Sequence, residues 1–227
     1  MGLPSTYRIY AYAPTCTGNT RTDADVLCGA AVNTCVPTGT GLIQYWVWYE
    51  DIDRATGTPV PPGWVLERQN ACLGPDQAGL PAKAAIGGIL ARDFKDLVVV
   101  KGVAHVDPKA KTLVNFDNGF WTDAKAYRLA PTQILGHTVV VTAKPEKFDW
   151  YFGDGTSALD AGAGRSQTTD VAHTYTSNGT VRPYVVITWS GTFTVDGGAP
   201  LDVIGTAVTT GDGTPLQVDE AHAQLVS

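Results

Sequence analysis

The chain begins with an alternating run, YRIYAYAP at residues 7–14, which predicts a strand stopped by its proline. Residues 15–41 lose all periodicity, are rich in turn formers and hold three cysteines, so an irregular loop is expected there. LIQYWVWYED at 42–51 is the strongest strand signal in the N-terminal part, with Tyr45 and Tyr49 on one face and Trp46 and Trp48 on the other. RATGTPVPPG follows as a Pro/Gly turn, and WVLERQNAC predicts the antiparallel return strand, with Cys72 at its far end. From Pro81 the period changes. Ala85, Ile89, Phe94 and Leu97 recur at roughly helical spacing behind that proline, which predicts one short helix joining two regions. Gly87 and Gly88 oppose it by about 1 kcal/mol each relative to alanine.

After the helix the chain reads as strands throughout. They are expected at 98–106, 112–116, 126–130, 134–143, 147–152, 180–189, 191–195, 202–208 and 215–226. Between them stand Asn118-Gly119, Asp154-Gly155, Asn178-Gly179, Asp196-Gly197 and Asp212-Gly213. Both residue types tolerate positive φ, so these steps predict hairpin turns between twisted antiparallel strands. The fold class expected is mainly β, an antiparallel sandwich. Three segments follow: a cysteine-containing β-rich region at 1–80, a joining segment at 81–130 and the sandwich at 131–227.

Composition sharpens this. Only 17% of residues are charged and the net charge is −6 with no basic cluster, which argues against nucleic acid and anionic membrane as partners. No apolar run is long enough to span a bilayer, so no membrane insertion is expected. Cys16, Cys28, Cys35 and Cys72 all lie in the first third and contain no CxxC pair, so two disulfides are favoured over a zinc site. Three pairings stay open. Disulfides imply an oxidising compartment, hence a secreted or cell-surface protein. MGLPSTYRIY has no apolar signal-peptide core, so a mature fragment with an added start methionine is expected.

The segments WYFGDGTS and, after a loop, HTYTSNGTVRPYVVITWSG carry the pattern W-x-F-G-D-G, H-x-Y and G-T. This resembles the PKD domain, an immunoglobulin-like β-sandwich, over about residues 131–210. Trp150, Phe152, Gly153, Asp154 and Gly155 match the first part, and His173, Tyr175, Gly179 and Thr180 the second. Tyr151 stands where the family usually has aspartate, and the loop 158–172 looks longer than usual. TLVNFDNGFWTD, GTFTVDGG, the ending PLQVDEAHAQLVS and the four-cysteine region are similar to secreted PKD-containing proteins of actinobacteria. The resemblance implies that Trp150 and Phe152 face the core, that Gly153-Asp154-Gly155 is a turn, and that His173 and Tyr175 lock the following loop. It implies a spacer or interaction unit rather than an enzyme. Some members bind calcium in loops, which makes Asp154, Asp160 and Asp170 a candidate calcium set; no other cofactor is expected.

Catalytic signals are sparse. Asp149, Asp154 and His173 are weighed as a metal or acid/base cluster against a purely structural role, and the structural role is favoured. His105, His137, His173 and His222 sit on different expected strands, none paired with another ligand save His105 with Asp107. G-x-S-x-G, H-E-x-x-H and phosphate-binding loops are missing. The binding candidates are aromatic: Tyr45, Trp46, Trp48, Tyr49 and Trp121, because Trp and Tyr rings stack on sugars or anchor protein partners. The expected function is a non-enzymatic interaction or adhesion module for an extracellular protein or glycan. Two alternatives are a carbohydrate-binding accessory module and a secreted hydrolase with an unrecognised carboxylate pair.

Overall fold

The computed structural model describes residues 4–37 and 40–221. In chain order its elements are β1 (Thr6–Pro14), α1 (Gly29–Asn33), β2 (Ile43–Asp53), β3 (Val65–Leu73), α2 (Ala82–Leu97), β4 (His105–Asp107), β5 (Lys111–Leu113) and β6 (Asp117–Trp121). They continue with β7 (Tyr127–Arg128), β8 (Thr132–Ile134), β9 (His137–Tyr151), β10 (Ser157–Ala158), β11 (Ala172–Thr174) and β12 (Gly179–Val181). The last are β13 (Tyr184–Val195), β14 (Leu201–Asp202), β15 (Ala207–Thr210) and β16 (Leu216–Asp219). The fold is mainly β, with several antiparallel sheets. Two compact units form: Met1–Phe94, Ala130–Val141 and Thr192–Gly205 make the first, and Lys95–Leu129, Thr142–Gly191 and Thr206–Ser227 the second. Two strands, β9 and β13, contribute residues to both.

In the first unit β2 is the centre of an antiparallel sheet ordered β1-β2-β3. Alternation decides its buried face: Ile43, Tyr45 and Val47 go inward together with Ala71 of β3, Ala31 and Val32 of α1 and Ala84 of α2. Two disulfides, Cys16–Cys28 and Cys35–Cys72, tie the aperiodic loop to itself and to the end of β3. That loop contains the helical turn α1. The two glycines of α2 have a packing reason that outweighs their propensity cost. A Cβ at Gly88 would stand 2.6 Å from the Gly41 carbonyl oxygen, and one at Gly87 would collide with Leu27. Asp196 (φ 50°) and Gly197 (φ 74°) make the turn between β13 and β14, as their sequence predicts.

The second unit contains three-stranded sheets ordered β11-β6-β4 and β12-β16-β5, of which β16 and β5 pair in parallel. Its β9 residues pair with β7 and β10, and its β13 residues with β15. Trp150, Phe152, Phe120, Tyr175, Ile187 and Trp189 are all buried in it. The buried indoles are satisfied: Trp150 Nε1 donates to the Gly162 carbonyl at 2.9 Å and Trp189 Nε1 to Thr209 Oγ1 at 2.8 Å.

Several strand expectations are corrected. The runs at 134–143 and 147–152 are one fifteen-residue strand, β9, which continues through Pro145. The runs at 180–189 and 191–195 regroup as β12 and an unbroken β13, whose burial alternates without a fault through Gly191. Of 98–106 only the end is strand, as β4; residues 98–104 are outside any strand, and Gly102 sits close against the side chains of Val185 and Ile187. Asn118-Gly119 is not a turn but the middle of β6, where a Cβ on Gly119 would strike the Thr168 carbonyl. Only 216–219 of the expected 215–226 strand is β16, and residues 222–226 lie outside the described residues.

Candidate functional site

The corner that follows β9 is closed on itself. Gly153 (φ 85°) and Gly155 (φ 93°) turn the chain so that Asp154 Oδ1 accepts from the Thr156 amide at 3.0 Å and the Thr156 hydroxyl at 2.6 Å. Asp154 Oδ2 lies 2.7 Å from His173 Nε2. The imidazole stacks on Phe152 (4.2 Å, 6°) and meets Tyr175 edge-on, while the Tyr175 hydroxyl donates to the Phe152 carbonyl at 2.9 Å. Burial pushes the Asp154 carboxyl up, but the bonds from Thr156 and His173 outweigh it and hold its pKa below the ordinary value. Trp150 and Phe152 are buried and Tyr151 half-buried, in the expected alternation. Both Asp154 carboxylate oxygens, the Thr156 hydroxyl, His173 Nε2 and the Tyr175 hydroxyl are thus engaged within the corner, which fastens the turn.

The acidic candidates do not meet. Asp149 accepts from the Asp160 amide at 2.8 Å and pairs with Lys147, whereas Asp154 is committed to His173. Asp170 faces Arg165 at 2.6 Å, and that ion pair holds its pKa down. Among the described residues no group of three His, Cys, Asp or Glu side chains could hold a metal ion, so Asp154, Asp160 and Asp170 are not assembled as a calcium set. His137 bonds Asp196 at 2.7 Å on the surface. His105 stacks on Trp121 at 4.0 Å and 19°, so that half-buried indole is already covered on one face. His222 lies outside the described residues.

The aromatic strand divides. Tyr45 is fully buried with its hydroxyl unpartnered, so it is core, and burial raises its pKa above the usual phenol range. Trp46 and Trp48 share the opposite face but are half-buried and meet at 62° (6.3 Å), not as a coplanar platform. Tyr49 stays near the surface, and its surroundings are what the sequence did not announce. The β1–β2 register runs unbroken from Thr6↔Asp53 to Pro14↔Tyr45, which sets Arg8, Tyr10 and Tyr12 on the face of Tyr49 and Asp51. Arg8 grips Asp51 with two bonds, 2.9 and 3.1 Å, and its guanidinium lies 3.7 Å from the Tyr49 ring centre. The bonds to Asp51 raise the Arg8 pKa further, and the same bonds lower that of Asp51.

Tyr10 is 45% exposed beside this group and stacks on Tyr12 (6.2 Å, 22°), which in turn meets the buried Tyr45 edge-on. The face is thus an aromatic row that starts in solvent and ends in the core. Tyr7, 42% exposed with Arg54 at 5.3 Å from its ring, adds a second Arg–Tyr pair on the other face of β1. The alternation of YRIYAYAP carried a signal for this row, since residues 8, 10 and 12 must share a face. What joins them to Tyr49 is the register.

Two cavities flank the half-exposed Phe116. One of about 330 Å³ is lined by Pro108, Lys111, Thr112, Leu113 and Asp219 besides Phe116. The other, about 400 Å³, holds Asp107 and Asp117. Both of those carboxylates are exposed, and Asp117 accepts from the Thr174 hydroxyl at 2.5 Å. Compared with known proteins, the chain matches no family model, no curated protein and no solved structure.

Proposed function

We propose that the chain is a non-enzymatic protein-binding module, secreted or displayed at the cell surface and built on a PKD-like sandwich, which binds through the solvent end of the β1–β2 aromatic row. The observation that carries this reading is Tyr10 standing exposed beside an Arg8 already fixed by Asp51 and Tyr49. Tyr and Arg supply large contact area at low entropic cost, and side chains held in place before contact lose little freedom on binding. Two disulfides support the extracellular placement. The fastened corner at His173, with the matching Trp150 and Phe152 alternation, supports the PKD-like frame. A protein partner is favoured over a glycan because Trp46 and Trp48 are neither open nor coplanar. The test is capture from culture medium and envelope extract by immobilised protein, with Tyr10→Ala/Tyr49→Ala as comparison. Partners retained by the wild type and lost at least tenfold by the double variant support the surface; equal retention removes it.

A further inference from the structure

We propose that the partner of the β1 edge is a second copy of this chain, joined antiparallel across a two-fold axis at Ile9. The inference deepens the protein-binding reading by naming a partner, but the edge pairing stands on its own observations. In the β1–β2 ladder the Arg54 amide donates to the Ser5 carbonyl and the Thr15 amide to the Gln44 carbonyl. The odd residues of β1 therefore bond β2, and the N–H and C=O groups of Thr6, Arg8, Tyr10 and Tyr12 point away from it. Among the described residues no backbone or side-chain group pairs with them.

The opposite edge of the same sheet shows what protection looks like. There β3 carries two register shifts against β2, between Tyr45 and Val47 and between Val47 and Trp48, and presents Glu67, Arg68, Gln69 and Asn70 in succession. No shift breaks β1, which has one charged residue and no proline before Pro14. A regular, nearly uncharged strand of nine residues left open is a template for another strand.

The residues choose the occupant and the register. With Ile9 against Ile9 of the second copy, Thr6 meets Tyr12, Arg8 meets Tyr10, and the reverse pairs repeat by symmetry. Each of the four outward residues then exchanges its N–H and C=O with one across the axis, so four pairs of two bonds close eight hydrogen bonds. Arg8 comes to lie against the exposed Tyr10 ring of the other copy, and the exposed Tyr7 against the small Ala11. A slip that centres on Arg8 sets like charges directly opposite each other. A slip that centres on Tyr10 pairs Thr6 with Pro14, which has no N–H to give. The Ile9 register alone uses every outward group without either fault, and it extends the Arg8–Tyr10–Tyr49 row of each copy into the next.

Sedimentation equilibrium across a hundredfold concentration range tests this, with wild type and Tyr10→Pro. Proline at position 10 removes an outward N–H and none of the bonds to β2, so its circular dichroism and melting temperature report an intact fold. The expected result is a wild-type equilibrium between one and two copies, weakened at least tenfold in Tyr10→Pro. Under mild added oxidant Ile9→Cys is expected to cross-link faster than Ala11→Cys, because only position 9 meets itself on the axis. A wild type of single-chain mass at every concentration, a dimer unaffected by Tyr10→Pro, or equal cross-linking at both positions overturns the proposal. A monomer that still captures partners through Tyr10 and Tyr49 refutes the dimer and leaves the protein-binding reading standing; a dimer whose captures ignore those tyrosines does the reverse.

Discussion

The corner at His173 and the edge at β1 are made of the same materials, aromatic rings beside charged groups, and dispose of them in opposite ways. At the corner Asp154, Thr156, His173 and Tyr175 bond one another and the backbone, and the imidazole is covered by Phe152 and Tyr175. At the edge Arg8 is fixed by Asp51, yet the rings of Tyr7 and Tyr10 and the outward backbone groups stay open. A dense cluster of chemistry-bearing residues can be spent on its own fastening, as the corner is. The edge instead combines side chains held still with contact area and hydrogen-bonding groups left over, the combination on which the proposed binding rests.

The contrast breaks most visibly at Trp150, the indole beneath the corner. It is fully buried, stands 6.1 Å from Phe120 and donates to Gly162. Trp150→Ala is expected to lower unfolding stability by about 3–5 kcal/mol, since a cavity and an orphaned carbonyl are left together. Urea denaturation followed by far-ultraviolet circular dichroism measures it. A loss below about 1 kcal/mol would show that the corner is held from elsewhere.

Acid titration gives a smaller effect with a definite sign. The folded pKa of Asp154 is depressed below the ordinary 3.8, so its contribution to stability is present above that value. It is lost as pH falls through the lower folded pKa. The melting temperature of the wild type should therefore fall more steeply below about pH 4 than that of Asp154→Asn, which has no carboxylate to protonate. Equal slopes would mean that His173 and Thr156 do not favour the ionised form.

What the sequence reveals of these features depends on the range of the contacts that make them. The alternation of Trp150 and Phe152 and the Asp196-Gly197 hairpin turn are local, and the sequence pattern alone placed them. Asn118-Gly119 misled because the same dipeptide serves a hairpin turn and a close backbone approach, and only the distant Thr168 carbonyl decides between them. Gly87 and Gly88 counted against the helix by propensity, while the contacts that require them come from Leu27 and Gly41, far earlier in the chain. In the aromatic strand, periodicity separated Tyr45 from Trp46 correctly but did not say which face is core; α1 and α2 settle that. Arg8 could not be recognised from its own segment, because its role exists only once register brings Tyr49 and Asp51 opposite Tyr10 and Arg8.

The finest test of the contrast lies within β1, where neighbouring amides should behave differently. In dilute protein the amides of Tyr7, Ile9 and Ala11, which face β2, should exchange slowly with solvent deuterium, while those of Arg8 and Tyr10 exchange fast. The corner should show no such alternation, since the Phe152 amide is bonded to the Thr156 carbonyl and the Thr156 amide to Asp154. Tyr10→Ala should move stability by no more than about 0.5 kcal/mol, because its ring is half in solvent and its outward amide bonds nothing in one chain. Raising the protein concentration should then slow exchange at Arg8 and Tyr10 and leave Tyr7, Ile9 and Ala11 as they were. Uniform protection along β1 in dilute solution would mean that the edge is closed by the chain itself, and the opposition between corner and edge would go with it.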